Sequence, residues 1–123
     1  TRAEWEAIAR SRHGRAYPWG SDDFDPARAN TEESRLGQTT PVHLYPDGRT
    51  PEGVWDLSGN VWEWTNDLQQ VDKDGDEWFY LKGGSYYFDA KQATASAALE
   101  YHAWNSWYLA YGFRVVVVPI SRG

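Results

Sequence analysis

The 123-residue chain contains no cysteine. That absence removes disulfides, thiolate metal sites and thiol nucleophiles together. No apolar run approaches the ~18–20 residues of a membrane helix. The longest, from Phe113 to Ile120, is interrupted by Arg114 and Pro119. Basic residues are outnumbered, 12 Lys and Arg against 18 Asp and Glu, so the net charge is −6. This balance argues against nucleic acid or an anionic membrane as the main partner, and membrane insertion is not expected. The histidines, His13, His43 and His102, have neither metal-ligand spacing nor a nucleophile pattern and read as surface or packing residues. Gly83-Gly84-Ser85 lacks the lysine and the glycine spacing of a phosphate loop. There is no internal repeat and no linker, and the length suits a single unit over residues 1–123 with a modest core. No leader peptide opens the chain, although Thr1 need not be the natural start. The cytoplasm is favoured over the cell surface as location.

Aromatic residues are abundant, at 16% with eight Trp and eight Tyr. Trp55, Trp62 and Trp64 fall within ten residues, and between them sit the carboxylates of Asp56 and Glu63 and the turn Ser58-Gly59-Asn60. Each such ring buries some 150–250 Å² and calls for cover. The acidic groups beside them need a cation or hydrogen-bond donors, because an unpaired buried charge is costly.

The rest of the chain promises little regular structure. Thr1 to Gly14 reads as a helix, with Thr1 and Glu4 as a capping box and Trp5, Ile8 and Ala9 on one face. Gly14 is the expected stop. Tyr17-Pro18-Trp19-Gly20 reads as a tight aromatic turn. Val54 to Leu57 and Val61 to Thr65 are short strands or single turns. Asp72, Asp74 and Asp76 hint at a calcium loop. The sixth and twelfth positions should be Gly and Glu but are Glu77 and Gly83, so a hairpin tip is expected. Trp78 to Leu81 reads as a strand. So does Phe113 to Val118, whose β-branched run suggests burial on both faces.

Gly59-Asn60-Val61-Trp62-Glu63-Trp64-Thr65 resembles the core motif of the formylglycine-generating-enzyme, or sulfatase-modifying-factor, family. Thr1-Arg2-Ala3-Glu4-Trp5-Glu6 with Tyr17-Pro18-Trp19-Gly20, then Ala29-Asn30, Lys82-Gly83-Gly84-Ser85 and Gly112-Phe113-Arg114-Val115 are similar to that family's other blocks, in family order. The resemblance implies an α+β class and a C-type-lectin-like fold of the sulfatase-modifying-factor type, low in regular secondary structure. It also implies a further stretch upstream, including the strand that usually pairs with the C-terminal one. Without it, Val115 to Val118 would be an exposed apolar edge.

The resemblance carries metal expectations as well. The family's calcium would be held by the Asp56 and Glu63 side chains and the Gly59 and Val61 carbonyls. Calcium takes six to eight such oxygens. The alternative is that Asp56 and Glu63 cap turns or pair with Arg, with Arg114 the candidate. A second, weaker site would use Asn30, the Thr31 carbonyl, Ser34 and the Leu36 carbonyl, with Ser34 where the family often has Asp. The family's catalytic cysteine pair, which follows Gly-Gly-Ser, is absent here. Copper(I) depends on soft sulfur ligands, so no copper is expected.

The segment Tyr86–Tyr111 departs most from the family. Its 26 residues include eight aromatics and seven alanines. Rings set among small polar residues make binding-surface chemistry. In this respect the chain resembles the variable proteins of diversity-generating retroelements, in which a fixed fold displays a hypermutated segment at this place. That implies a non-catalytic domain binding a ligand, expected to be a protein, through Tyr86, Tyr87, Phe88, Asp89, Ala95, Leu99, Tyr101, His102, Trp104, Asn105, Ser106, Tyr108, Ala110 and Tyr111. Lys91, Gln92, Trp104 and Trp107 cannot arise from an Asn codon by adenine changes and so would be scaffold, Trp104 contributing to the surface from there. The alternatives are that these rings fill a thin core, or that the chain is part of a formylglycine-generating-like or sulfoxide-synthase-like oxidoreductase whose catalytic residues lie outside it.

Overall fold

The structure, a computed structural model, describes residues 1–102 and 110–121, and for residues 100–102 the backbone alone. Among the described residues there are one α-helix, α1 (Arg2–Arg10), and four strands: β1 (Trp62–Val71), β2 (Glu77–Lys82), β3 (Ala98–His102) and β4 (Tyr111–Gly112). The sheet order is β3-β2-β1-β4. Pairing is antiparallel except between β1 and β4. Short 3-10 turns at Glu32–Ser34, Pro46–Gly48 and Ala90–Ala93 punctuate long irregular stretches. This is the expected α+β arrangement.

Helix α1 forms as its sequence dictates. The Thr1 hydroxyl accepts from the Glu4 amide at 3.1 Å, and the Glu4 carboxylate accepts from the Thr1 amine at 2.7 Å. The helix stops before the expected Gly14, because Ser11 turns to φ 49°. Gly14 instead closes a following turn onto the Arg10 carbonyl at 2.9 Å. Trp5 and Ala9 face inward and join Leu57 and Ala95 in the core. The aromatic turn also forms: the Gly20 amide donates to the Tyr17 carbonyl at 3.0 Å, and the Tyr17 and Trp19 rings stack at 4.9 Å.

Strand β1 is longer than the sequence suggests, and Val54 to Leu57 is irregular rather than strand. Residues 72–76 are a hairpin tip. Its Asp72 carboxylate accepts from the Asp74 and Asp76 amides and from the Trp78 indole, at 2.9, 3.1 and 3.2 Å. Trp62 is wholly buried, edge-on to Phe88 at 5.3 Å.

One expectation fails. Phe113 to Val118 is not a strand and is not buried. Val115, Val116, Val117 and Val118 are 65–85% exposed. The parallel ladder with β1 ends after Trp62↔Tyr111 and Glu63↔Gly112. Among the described residues no strand lies on the far side of β4. Without a neighbour to bond, β-branched residues alone do not make a strand.

Candidate functional site

The loop before β1 builds the first part of the site. Asp56, Gly59 and Asn60 all take left-handed backbone conformations, at φ 54°, 79° and 67°. Gly59 is required here, since a Cβ would run into the Asn30 carbonyl. The turn presents Asp56 and Val61 to a cavity of about 450 Å³ that is also lined by His43, Asn60, Glu63 and Arg114. The two carboxylates fare differently. Glu63 is bound by Arg114 through two contacts, at 2.5 and 2.6 Å, and by the Trp5 indole N–H at 2.6 Å. Arg114 also donates to the Trp55 and Asp56 carbonyls at 2.9 and 3.2 Å. Burial opposes the Arg114 charge, but the hydrogen bond and charge of Glu63 outweigh it and raise its pKa. Asp56 keeps one oxygen, Oδ2, buried with no hydrogen-bond partner among the described residues. Burial pushes its carboxyl above the ordinary value, and the nearby Glu63 charge adds to that against Arg114 and His43.

The residues expected around calcium are thus brought together, with Gly59 buried behind the turn. An orphan carboxylate oxygen is the kind of group a cation satisfies, so Asp56 fits such an ion. Glu63 already has a counter-ion in Arg114, as the alternative reading held. Among the described residues, no three His, Asp or Glu side chains form a metal-holding group. Any ion would therefore lean on backbone carbonyls. The second set is also assembled, but its polar atoms satisfy one another. Ser34 Oγ donates to Asn30 Oδ1 at 2.7 Å and sits 2.8 Å from the Thr31 carbonyl. Asn30 Nδ2 donates to the Gln38 carbonyl at 2.9 Å. Leu36 is exposed at the edge of this loop.

The second part of the site is the segment after Ser85. Its backbone is held by groups from elsewhere in the chain. The Tyr86 amide donates to the Asn60 carbonyl at 3.0 Å, and the Phe88 carbonyl accepts from the Glu32 amide at 2.9 Å. Ala90 is clamped twice: its amide donates to Glu33 Oε1 and its carbonyl accepts from the Tyr17 hydroxyl, both at 2.9 Å. The Ala93 carbonyl accepts from Ser58 Oγ at 2.7 Å. The Ala95 amide donates to the Ala16 carbonyl at 2.8 Å, and its own carbonyl accepts from Lys82 Nζ at 2.7 Å. Lys82 is wholly buried, 5.3 Å from the Trp5 ring and 3.5 Å from Glu6 Oε2. Burial lowers its pKa against the pull of Glu6.

Of the expected ligand-contacting residues, Tyr87 and Asp89 are exposed, and Tyr86, Phe88, Leu99 and Tyr111 are half-buried. Asp89 caps the 3-10 turn through the Lys91 and Gln92 amides, at 3.1 and 3.3 Å. The Tyr111 ring rests on Trp64 at 5.8 Å. Ala95 and Ala110 need correcting: at 1% and 0% exposure they are packed and have no surface to offer a ligand. Lys91 and Gln92, read as scaffold from their codons, are exposed, so packing does not fix them. Tyr101 and His102 are described by backbone alone, on β3. Trp104, Asn105, Ser106 and Tyr108, with the scaffold residue Trp107, lie outside the described residues. Sequence reasoning missed the clamps Lys82, Ser58, Tyr17 and Glu33. The signal within reach was that Lys82 and Tyr17 belong to two of the recognisable blocks.

Comparison with known proteins agrees with this fold. Residues 1–118 match the sulfatase-modifying factor enzyme 1-like domain. The chain is 33% identical over 111 residues to the inactive C-alpha-formylglycine-generating enzyme 2 of Bos taurus, covering 76% of this chain and 36% of that protein. It is 39% identical over 82 residues to the formylglycine-generating enzyme of Streptomyces coelicolor, covering 54% of this chain and 25% of that protein. In structure it is similar to Treponema denticola variable protein 1, with a TM-score of 0.74 and 22% identity, over 92% of this chain and 44% of that one. The chain thus spans about a quarter to a third of these curated relatives. No helix among the described residues is long and apolar enough to cross a membrane.

Proposed function

The chain belongs to the sulfatase-modifying-factor family, and from that premise we propose that it is a non-catalytic ligand-binding domain. It displays Tyr86 to Tyr111 to a protein partner, as a diversity-generating-retroelement variable protein does. The observation that carries this is the way the segment is held. From Tyr86 to Ala95 the hydrogen bonds described above, from the rest of the chain, fall on backbone atoms of the segment, while Phe88 and Ala95 are also held by packing against Trp62 and the core. Tyr87, Asp89, Lys91 and Gln92 project outward. Such a segment can change outward side chains such as Tyr87, Lys91 and Gln92 without losing its conformation. Likeness in fold to the Treponema variable protein and kinship to a relative named inactive support the reading. So does the lack of any cysteine in this chain.

Sequencing the same locus from several isolates tests the proposal. Substitutions are expected to concentrate between Ser85 and Gly112, at exposed positions and not at Ala93, Ala95 or Ala110. An even spread along the chain would overturn it.

A second reading rests on the 39% identity to a working enzyme of which this chain spans a quarter. In that case the catalytic residues lie in other segments. Oxygen consumption with a cysteine-containing peptide is expected to be absent, and a positive result would favour the enzyme. We propose calcium as a structural ion at Asp56, with the Gly59 and Val61 carbonyls and Glu63 as further ligands. Its charge would compensate the buried Asp56 carboxylate.

A further inference from the structure

Beside the displayed segment lies a pocket of about 330 Å³ lined by Glu32, Arg35, Gly37, Tyr86 and Tyr87. Its two walls are hydrogen-bonded to each other. The loop that carries Glu32 and Arg35 is bonded to the segment from the Glu32 amide to the Phe88 carbonyl and from Glu33 Oε1 to the Ala90 amide, both at 2.9 Å. Ser34 and Asn30 fix the loop from inside. Arg35 and Gly37 both take left-handed conformations, at φ 56° and 65°, and both are exposed.

Arg35 is the unusual member. Arg10, Arg12, Arg15, Arg28 and Arg114 each pair with a carboxylate. Arg2 and Arg49 lie over the Tyr80 and Trp55 rings. Among the described residues the Arg35 side chain has no ion pair, hydrogen bond or ring contact, in a chain where carboxylates outnumber cations 18 to 12. An unpaired guanidinium beside two tyrosines is the composition found where binding energy concentrates at interfaces. Its planar fork matches a carboxylate through two bonds. Glu32 on the same pocket accepts a donor such as a peptide N–H.

We propose that this pocket is a binding site for an acidic side chain, Asp or Glu, on an exposed loop of the protein partner, anchored by Arg35 between Tyr86 and Tyr87. The proposal rests on the display reading and extends its surface to a loop outside residues 86–111. Specificity then has a fixed component in Arg35, outside the displayed segment: the displayed side chains, Tyr86 and Tyr87 among them, choose among partners that present a carboxylate here.

The test is an NMR titration of the whole chain with two capped tripeptides, N-acetyl-Gly-Glu-Gly-amide and its Gln counterpart. The Glu peptide is expected to shift the Arg35 Nε–H and Gly37 amide signals, and the Gln peptide to leave them in place. Arg35→Lys weakens the response at least about tenfold, because the fork is lost, and Tyr87→Ala reduces it. Equal shifts from both peptides, no shift from either, or a response that survives in Arg35→Ala would overturn the site. Should a variant unfold, the Glu–Gln difference on the unmodified chain decides alone. Failure here with substitutions still clustered in 86–111 removes this site and spares the display reading. Success here with evenly spread substitutions does the reverse.

Discussion

Asp56 gives the sharpest prediction. Its Oδ2 is buried without a partner, and burial holds its pKa above the ordinary value. The ionised form is therefore costly in the folded, metal-free protein. A folded-state pKa above the unfolded one means stability that is fully present below the unfolded pKa and lost as pH rises through the folded pKa. Metal-free protein should accordingly lose stability between acid and neutral pH. Bound calcium reverses the balance by pairing with the carboxylate. A ligand at a hundred times its Kd adds about 2.7 kcal/mol to the stability of the state that binds it. For a domain of this size each kcal/mol moves Tm by roughly 3–5 °C, so Tm should rise by about 8–13 °C. Asp56→Asn keeps the shape and removes the charge. The variant should melt no lower than metal-free wild type at neutral pH, lose the acid-to-neutral slope and show no calcium response. Differential scanning calorimetry in EDTA and in excess calcium reads all three. Equal Tm values for wild type in both buffers would remove the metal. A full calcium response in Asp56→Asn would place the ion elsewhere.

Four further variants probe the contacts described above. Arg114→Ala leaves Glu63 buried at 5% exposure with only the Trp5 indole as partner; it should cost about 3 kcal/mol in urea unfolding, the low end for unpairing a buried charge. Cost near zero would mean the pair contributes nothing. Ala95→Leu overfills a packed site and should cost about 1–3 kcal/mol. Tyr87→Ala, on the exposed face, should stay within about 0.5 kcal/mol; equal effects would contradict the division into clamp and display. Lys82→Met strands the Ala95 carbonyl and should cost about 1–3 kcal/mol at neutral pH. Since burial depresses the Lys82 pKa, its charged form is penalised below that pKa. The unmodified chain should therefore gain stability as pH rises toward the unfolded lysine value, about 10.4, and the Met variant should lack that gain.

Much of this protein follows from local rules that sequence carries by itself. The Thr1–Glu4 capping box, the aromatic turn at Tyr17–Gly20, the hairpin tip at Asp72–Asp76 and the family blocks from Thr1 to Val115 depend on neighbours a few residues apart. Glycine and tryptophan in a set order state such dependencies plainly. Other features depend on distant groups. Phe113 to Val118 has strand composition, yet becomes a strand only if another segment supplies hydrogen-bond partners. Glu63 reads from the sequence as a metal ligand or as the partner of an arginine, and only the fold brings Arg114, 51 residues away, onto it. Ala95 and Tyr87 look alike as members of a variable segment, and only packing against Trp5 and Leu57 separates the buried one from the exposed one. Local conformation is decided by short-range bonding that sequence spells out. Burial and charge pairing are decided by which surfaces meet, and that is settled only when the chain is folded.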